Sequence, residues 1–279
     1  MDTASIIQSS VEWHIREEVG NLHDDARKAQ AMAGLCILLT QLQEASVPDE
    51  LIGAIPTFLA MLDDSGDRGM QANACAVLSG LMAISDELQK RIVDDGLVRR
   101  LQQLLTAVSD TEERTLQLNA LACLAEALRD REGEAEALTA GGGLAPVLRL
   151  CDTSMPVRLQ EAAADVLCAV ACAENTRAGL SEQGAVEKLA SLLATPNHDV
   201  RVRSLMGLGM LLSKSNDNQL LVARNAVAVS NLLAIMKQKE DQDCRIVARD
   251  IFSGLVSAIL GAPLADILLS LDSSFATRL

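Results

Sequence analysis

The chain repeats itself every 41 to 46 residues, and this period restricts its fold more than any other feature. Two segments share the pattern Arg-x-x-Gln-x-Asn-Ala-x-x-x-Leu, one beginning at Arg68 and the other at Arg114. The same frame fits four more segments, which begin at Arg27, Arg158, Arg201 and Arg245. A recurring unit of this length predicts a repeat array, in which each unit is stable because it packs on its neighbours.

Each frame contains two positions that fall on one face of a helix. The position six residues after the arginine is small or apolar, and the position ten residues after it is mostly aliphatic. Because the two are four residues apart, we expect them to form a buried stripe between neighbouring helices. The first position holds Ala33, Ala74, Ala120, Ala164, Gly207 and Ile251, and the second holds Ile37, Leu78, Leu124, Cys168, Leu211 and Leu255.

A second landmark lies 15 to 20 residues before each of the last five arginines. It is a glycine or an asparagine, followed by an apolar pattern with helical spacing and then by a short polar break. The landmark predicts a positive φ that ends one helix before the next begins. Each unit therefore reads helix, turn, helix, break, longer helix. The landmark residues are Gly53, Gly96, Gly143, Gly184 and Asn225.

Composition favours an all-α protein. Hydrophobic residues make up 49% of the chain but aromatic residues only 1%, which suits closely packed helices and disfavours β-sandwiches and barrels. The seven cysteines lie mostly in apolar runs, where a thiol behaves as a small hydrophobic group. Their odd number is not that of a disulfide framework and predicts a reducing, cytoplasmic location.

The layout resembles armadillo repeats, most fully in Gly53–Leu81 and Gly184–Leu212, where a Gly-Ala landmark precedes an apolar helix and a helix of Ala-x-x-x-Leu type. This resemblance covers five to six degenerate units. It implies a right-handed α-solenoid with an N-terminal capping helix in residues 1–26. The repeat array would occupy residues 27–262, and a C-terminal cap or tail residues 263–279.

The N-terminal cap has its own signals. Ser9 to Glu12 fit a capping box that opens a short helix. The only tryptophan, Trp13, follows at once, and we expect its ring to be buried on the first repeat. The alternative is that Trp13 is an exposed anchor for a partner.

Charge and hydropathy disfavour two classes of partner. The net charge of −14 is unsuited to a protein that neutralises many phosphates, so we expect no nucleic acid ligand. The most apolar stretch runs from Ile251 to Leu271, but Pro263 and Asp266 interrupt it and its spacing fits the repeat. We therefore expect no membrane span, and the N-terminus has no secretory signal pattern.

The residues that carry chemistry are few. His14, His23 and His198 lie in charged segments, and none has a cysteine or serine partner that suggests an activated nucleophile. Cys168 and Cys172 are one helical turn apart, but no second pair at metal-ligand spacing lies near them. We therefore predict that the chain is not an enzyme and needs no metal or cofactor.

In armadillo arrays the last helix of each unit lines a concave groove that binds partner segments. Helical arithmetic assigns the groove face to offsets one, five, eight and twelve from the arginine. From these offsets we select as candidate partner-binding residues Asn73, Asn119, Glu126, Leu159, Val166, Val170 and Met206. The Trp at eight and Asn at twelve of the family's nuclear-import adaptors are absent from all six frames, which argues against binding nuclear-localisation signals in that manner.

The resemblance implies a non-catalytic scaffold or adaptor that binds a partner protein on this face. A second hypothesis is an armadillo-type nucleotide-exchange co-chaperone of a heat-shock ATPase, which the stretch from Cys172 to Gln219 resembles. A third is a cytoskeletal or ciliary armadillo protein.

Overall fold

The structure is a computed structural model and is 81% helical. It describes residues 3–42, 47–64, 66–108, 113–238 and 241–260, with the side chains described from residue 8 onward. Within these ranges the chain forms helices joined by short breaks and holds no β-strand. The C-terminal cap or tail that we predicted in residues 263–279 lies outside the described residues.

The chain divides into two compact units, Met1–Glu134 and Ala135–Leu279. In the first unit, helix α2 packs on α5 and α5 packs on α8, while α4 supports α5 and α7 supports α8. Its helices are α1 (Thr3–Asn21), α2 (Lys28–Leu39), α3 (Asp49–Gly53), α4 (Ile55–Asp63), α5 (Arg68–Ile84), α6 (Asp86–Asp94), α7 (Leu97–Ala107) and α8 (Arg114–Leu128).

The second unit continues the pattern, with α11 packed on α14 and α14 packed on α17. Its helices are α9 (Glu132–Ala140, which begins just before the boundary), α10 (Ala145–Leu150), α11 (Val157–Cys172), α12 (Arg177–Glu182), α13 (Ala185–Leu192), α14 (His198–Leu212), α15 (Asn216–Ala223), α16 (Ala226–Lys237) and α17 (Gln242–Leu260). A 3-10 helix, Glu174–Thr176, precedes α12. The predicted order of two shorter helices and a longer one is confirmed from α3 to α17.

We call α2, α5, α8, α11, α14 and α17 the third helices, because each ends a repeat. In the last five of them the predicted stripe is buried, and Leu124 at the centre of α8 is fully buried. In α2 the prediction was wrong, since Ile37 is 64% exposed while Ala31 and Leu35 are buried. The frame of the first repeat therefore starts two residues earlier, at Asp25.

Buried glutamines close the break before three of the third helices. Gln71, Gln117 and Gln160 are each less than 5% exposed, and each donates its side-chain amide to a backbone carbonyl of the preceding break or helix end. The accepting oxygens belong to Leu62, Val108 and Met155, at 2.8, 3.4 and 2.7 Å. A carbonyl at a helix end lacks an intrahelical partner, so these bonds stabilise the turn that orients the longer helix.

The landmark glycines behave as predicted at two positions. Gly96 has φ of 85° and Gly184 has φ of 87°, which lets the chain turn directly into α7 and α13. The predicted positive φ was wrong for Gly53, although this glycine does end α3 just before α4, and for Gly143, whose neighbour Gly142 takes the positive φ. It was also wrong for Asn225, which caps α16 by accepting from the backbone amides of the two helical residues Val227 and Ala228.

The N-terminal prediction was wrong in two respects. Helix α1 runs from Thr3 to Asn21, so Ser9 to Glu12 lie inside it and form no capping box. The Trp13 side chain is 57% exposed and contacts only the edge of His14 among aromatic rings, at a centroid distance of 4.9 Å. Among the residues of this helix whose side chains are described, from Gln8 onward, Val11 and Ile15 are buried, which leaves Trp13 on its outer face.

The described part of the chain contains no single helix long and apolar enough to cross a membrane. Taken together, α15 and α16 have the length and composition of a membrane span, but the chain bends by 89° between them.

Candidate functional site

The accessible face of the third helices in the first unit is made of small and polar residues. We call it the accessible row, and it comprises offsets one, five, eight and twelve of α5 and α8. All its members are exposed or half-buried. They are Gly69, Asn73, Ala76 and Gly80 of α5 and Thr115, Asn119, Ala122 and Glu126 of α8.

The two asparagines of this row differ in their hydrogen bonds. Asn119 donates its amide to the carbonyl oxygen of Ala72 at 2.9 Å, and so joins α8 to α5. Asn73 lies at the same offset in α5, but its side chain makes no hydrogen bond to any residue that the structure describes. Asn119 therefore has a structural role, whereas the amide of Asn73 is available to a ligand.

Glu126 sits at the end of the row and is also engaged within the protein. Its carboxylate accepts from Arg129 at 2.9 Å, and its backbone oxygen accepts from the amide of Gln89 at 2.8 Å. The same Arg129 reaches Asp86 at 3.3 Å. Because the charge of Glu126 is partly neutralised, this end of the row is less acidic than the sequence implies.

In the second unit the predicted apolar patch is not a surface. Leu159 is 3% exposed, and Val166 and Val170 are fully buried, so the prediction that they contact a partner was wrong. The error lies in the start of the repeat frame, which is Val157 and not Arg158. The buried Gln160 then lies three residues after the start, as Gln71 and Gln117 do in their own repeats. An error of one residue turns a helix by about 100°, which exchanges the accessible face for a buried one.

With the corrected frame, α11 presents Ala162, Asp165 and Ala169 on its accessible face. Asp165 forms an ion pair with Arg203 of α14 at 2.7 Å, and Glu161 lies 3.4 Å from the same guanidinium group. The two helices are thus joined across the accessible face by a charged cluster, where the sequence predicted apolar contacts.

Met206 of α14 is where the sequence predicted it. Its side chain is 47% exposed at offset five, and Val202 and Gly209 beside it are half-buried. On α17 the same face carries Ile246, which is 49% exposed, and Asp250. The second unit therefore offers two exposed apolar side chains on adjacent helices.

A separate cleft of about 500 Å³ lies in the second unit, where α9 faces α12. Its lining includes Glu136, Thr139, Asn175 and Gln183. Asn175 donates to Glu136, and Gln183 donates to the carbonyl oxygen of Thr139 at 3.1 Å. The lining carries glutamate and threonine side chains but no histidine, cysteine or lysine, and several of its polar groups already bond to one another.

The cysteines are mostly part of the core. Burial raises the pKa of Cys75 to about 12, and it raises the pKa of the fully buried Cys123 well above its usual value. Cys172 is exposed. Cys168 does not pair with Cys172, and its thiol contacts the carbonyl oxygen of Arg203 at 3.1 Å. The thiols of Cys75 and Cys123 are therefore packing groups and not nucleophiles.

The chain is similar in structure to armadillo repeat proteins. An engineered protein matches with a TM-score of 0.74 and 21% identity, over 88% of this chain and 97% of its own. A designed armadillo repeat protein in complex with the peptide (KR)4 matches at 0.70 and 17%, over 86% and 99%. Computationally designed armadillo repeat proteins for modular peptide recognition match at 0.71 and 17%, over 86% and 98%.

No protein-family model and no curated protein matches the sequence. At these identities the structural likeness establishes the fold alone, which is an armadillo-like helical repeat.

Proposed function

We propose that this protein is a non-catalytic scaffold that binds an extended segment of a partner protein on the accessible face of its third helices. The observation that carries the proposal is the amide of Asn73, which makes no hydrogen bond within the described residues and lies on a row that also holds the small residues Ala76 and Ala122. This row is in the first unit.

An extended peptide exposes one N–H donor and one C=O acceptor at each residue, apart from proline. A carboxamide carries both a donor and an acceptor, so Asn73 can bind a peptide backbone with either group. The small side chains of Ala76 and Ala122 let that backbone approach the helices closely. Because the row holds no aromatic residue, we expect the large side chains of the interface to come from the partner.

Two further observations support a peptide ligand. The armadillo fold is shared with a designed protein that is in complex with (KR)4. The net charge of −14 favours a basic segment over an acidic one, because the field of the whole chain attracts positive charge.

The experiment is affinity capture from a cell lysate with the wild-type chain and two variants. The double substitution Asn73→Ala with Ala122→Glu removes the free amide and places a charge on the accessible row. The matched control is Ala60→Glu, which places the same charge on an exposed alanine of α4, outside the row. Far-ultraviolet circular dichroism confirms that all three proteins are equally helical.

We expect one dominant partner that the double variant loses and the control retains. Loss of that partner by both variants, or by neither, contradicts the proposed face. If the partner is a heat-shock chaperone, nucleotide release from its ATPase domain is the next measurement. If it is tubulin, cosedimentation with microtubules is.

The proposed location is the cytoplasm. All seven cysteines are free thiols and five of them are buried, which suits a reducing compartment. Fluorescence microscopy of a tagged chain tests the proposed location directly, and accumulation of the chain in the secretory pathway would contradict it.

A further inference from the structure

Three potential metal ligands lie close together at the N-terminal ends of α14 and α17. His198 is the first residue of α14, Asp241 immediately precedes α17, and Cys244 lies in the first turn of α17. One ligand atom from each residue lies within 4.8 Å of the other two. The sequence separates His198 from the other two by more than 40 residues, so only the packing of α17 on α14 brings them together.

The histidine is held in an orientation that suits a metal ligand. Its Nδ1 lies 3.4 Å from the carboxylate of Asp199, and its Nε2 lies 2.9 Å from Oδ2 of Asp241. The Nε2–Oδ2 distance is that of a hydrogen bond, so a proton on Nε2 can bridge the two residues. When the imidazole proton lies instead on Nδ1 and is donated to Asp199, Nε2 offers a lone pair and a cation can take the place of the bridging proton. A carboxylate that accepts from the far nitrogen is also the usual support of a metal-bound histidine.

The other two ligands are held by the start of α17. Oδ1 of Asp241 accepts from the backbone amide of Cys244 at 3.0 Å, which leaves Oδ2 for a cation. The Cys244 side chain is only 2% exposed, whereas that of His198 is 57% exposed. The cluster is therefore buried on the side of the sulfur and open to solvent on the side of the imidazole, where an ion can enter.

The surrounding charge also favours a cation. Asp199, Asp241 and Asp243 contribute three carboxylates and the Cys244 thiolate would add a fourth negative charge, whereas Arg201 near Asp241 and Arg203 near Asp199 supply two positive charges. Arg201 donates to the carbonyl oxygens of Thr195 and Pro196 at 3.2 and 3.0 Å, so its charge is anchored in the break before α14. A divalent ion would balance the remaining negative charge.

From this geometry we infer that His198 Nε2, Asp241 Oδ2 and Cys244 Sγ form a zinc site, with water in the fourth position. Nitrogen, oxygen and sulfur donors together suit Zn²⁺ better than Mg²⁺ or Ca²⁺, which prefer oxygen alone. Tetrahedral bonds of ~2.0–2.3 Å place ligand atoms roughly 3.3–3.7 Å apart. The three ligand atoms already lie within 4.8 Å of one another, so a small adjustment of the side chains completes the site. The thiol proton leaves to solvent as the thiolate binds.

This site is independent of partner binding and has a structural consequence. Zinc would join the break before α14 to the first turn of α17, and so fasten the last described repeat to the one before it. Because a repeat is stable only when it is stacked on its neighbour, zinc should raise the thermal stability of the chain.

The experiment titrates Co²⁺ into the full chain after chelator treatment and reduction, with Zn²⁺ as competitor. Cys172→Ser is the background of every variant, because that exposed thiol is an alternative sulfur ligand. We expect the background protein to show thiolate-to-cobalt charge transfer in the near ultraviolet, which Zn²⁺ abolishes. Cys244→Ala should lose the band, and His198→Ala should weaken Zn²⁺ binding by at least about tenfold.

The control is His23→Ala, which removes an exposed histidine from the first unit and should leave both signals unchanged. A charge-transfer band that persists in Cys244→Ala, or that disappears with Cys172→Ser alone, would overturn the assignment. So would a melting temperature that Zn²⁺ raises equally in the background protein and in His198→Ala. Circular dichroism without metal shows whether each variant is folded before titration.

Discussion

The side-chain amide of Gln71 donates to the backbone oxygen of Leu62 at 2.8 Å, and Gln117 makes the same bond to Val108, also nine residues earlier. These glutamines belong to the repeated Arg-x-x-Gln pattern, in which their role was not evident. Gln160 performs the same task in the third helix of the next repeat. The glutamine therefore marks the register of the repeat better than the arginine does.

The first prediction concerns this bond. Gln71→Ala should lower the free energy of unfolding by about 1–3 kcal/mol, because it leaves the carbonyl of Leu62 without its side-chain donor in a buried place. Urea denaturation followed by circular dichroism measures the change. Gln103→Ala alters an exposed glutamine of α7 and should change stability by less than about 0.5 kcal/mol. Equal effects would mean that the buried bond contributes nothing.

The second prediction concerns the stripe. Leu124→Ala should cost about 2–5 kcal/mol, since its side chain is fully buried between helices and the substitution leaves a cavity. Ile37 occupies the equivalent offset by sequence but is 64% exposed, so Ile37→Ala should be nearly neutral. Thermal unfolding of the two variants tests whether the repeat frame of α2 is the one in the structure or the one predicted from the sequence. A large fall in the melting temperature of Ile37→Ala would support the frame predicted from the sequence.

The third prediction tests the register of α11. Val166→Glu buries a charge without a partner and should prevent the second unit from folding, whereas Ala162→Glu should be tolerated because that face is accessible. Limited proteolysis of the purified proteins reports which variant has lost structure. If Ala162→Glu is the unstable variant and Val166→Glu is resistant, the one-residue correction is wrong.

The fourth prediction concerns the thiols. Iodoacetamide reacts with thiolates, so at pH 8 the exposed Cys172 should be alkylated first, as mass spectrometry of the intact chain and its peptides can show. Cys75, whose pKa burial raises to about 12, should be modified only after denaturant is added. Rapid labelling of Cys75 in the native protein would show that α5 is not packed as described.

The fifth prediction is a pH dependence. Lys188 lies 2.6 Å from Asp152 and, with bonds from Ser154, holds the pKa of that carboxyl well below its usual range. Its contribution to stability is therefore full above the usual pKa of aspartate, about 4, and is lost as the pH falls toward the lower value in the folded chain. Both side chains are more than one-third exposed, so the contribution is at most about 1 kcal/mol.

Asp152→Asn should accordingly lower the melting temperature slightly at pH 7 and have no effect in strong acid. Asparagine keeps an oxygen for the turn at Ser154, so the variant removes only the charge. A difference between variant and wild type that is constant from pH 7 to acid would assign the effect to packing.

The class of fold and most of the core residues follow from local sequence patterns. A period of 41 to 46 residues and the small and aliphatic residues at offsets six and ten are local properties, because helix periodicity alone places them on one face. Leu124, Leu78 and Leu211 are buried as this argument predicts. The exposure of Met206 also follows from offset arithmetic, because its frame is correct.

Which helix faces are accessible, and which side chains distant in sequence lie close together, depends on how the helices pack. An error of one residue at α11 placed Leu159, Val166 and Val170 on the wrong side, since a helix turns by about 100° per residue and a degenerate repeat does not fix its own start. Trp13 is exposed because Val11 and Ile15 face the core of the first unit. His198 meets Cys244 only because α17 packs on α14, and no local pattern encodes that contact.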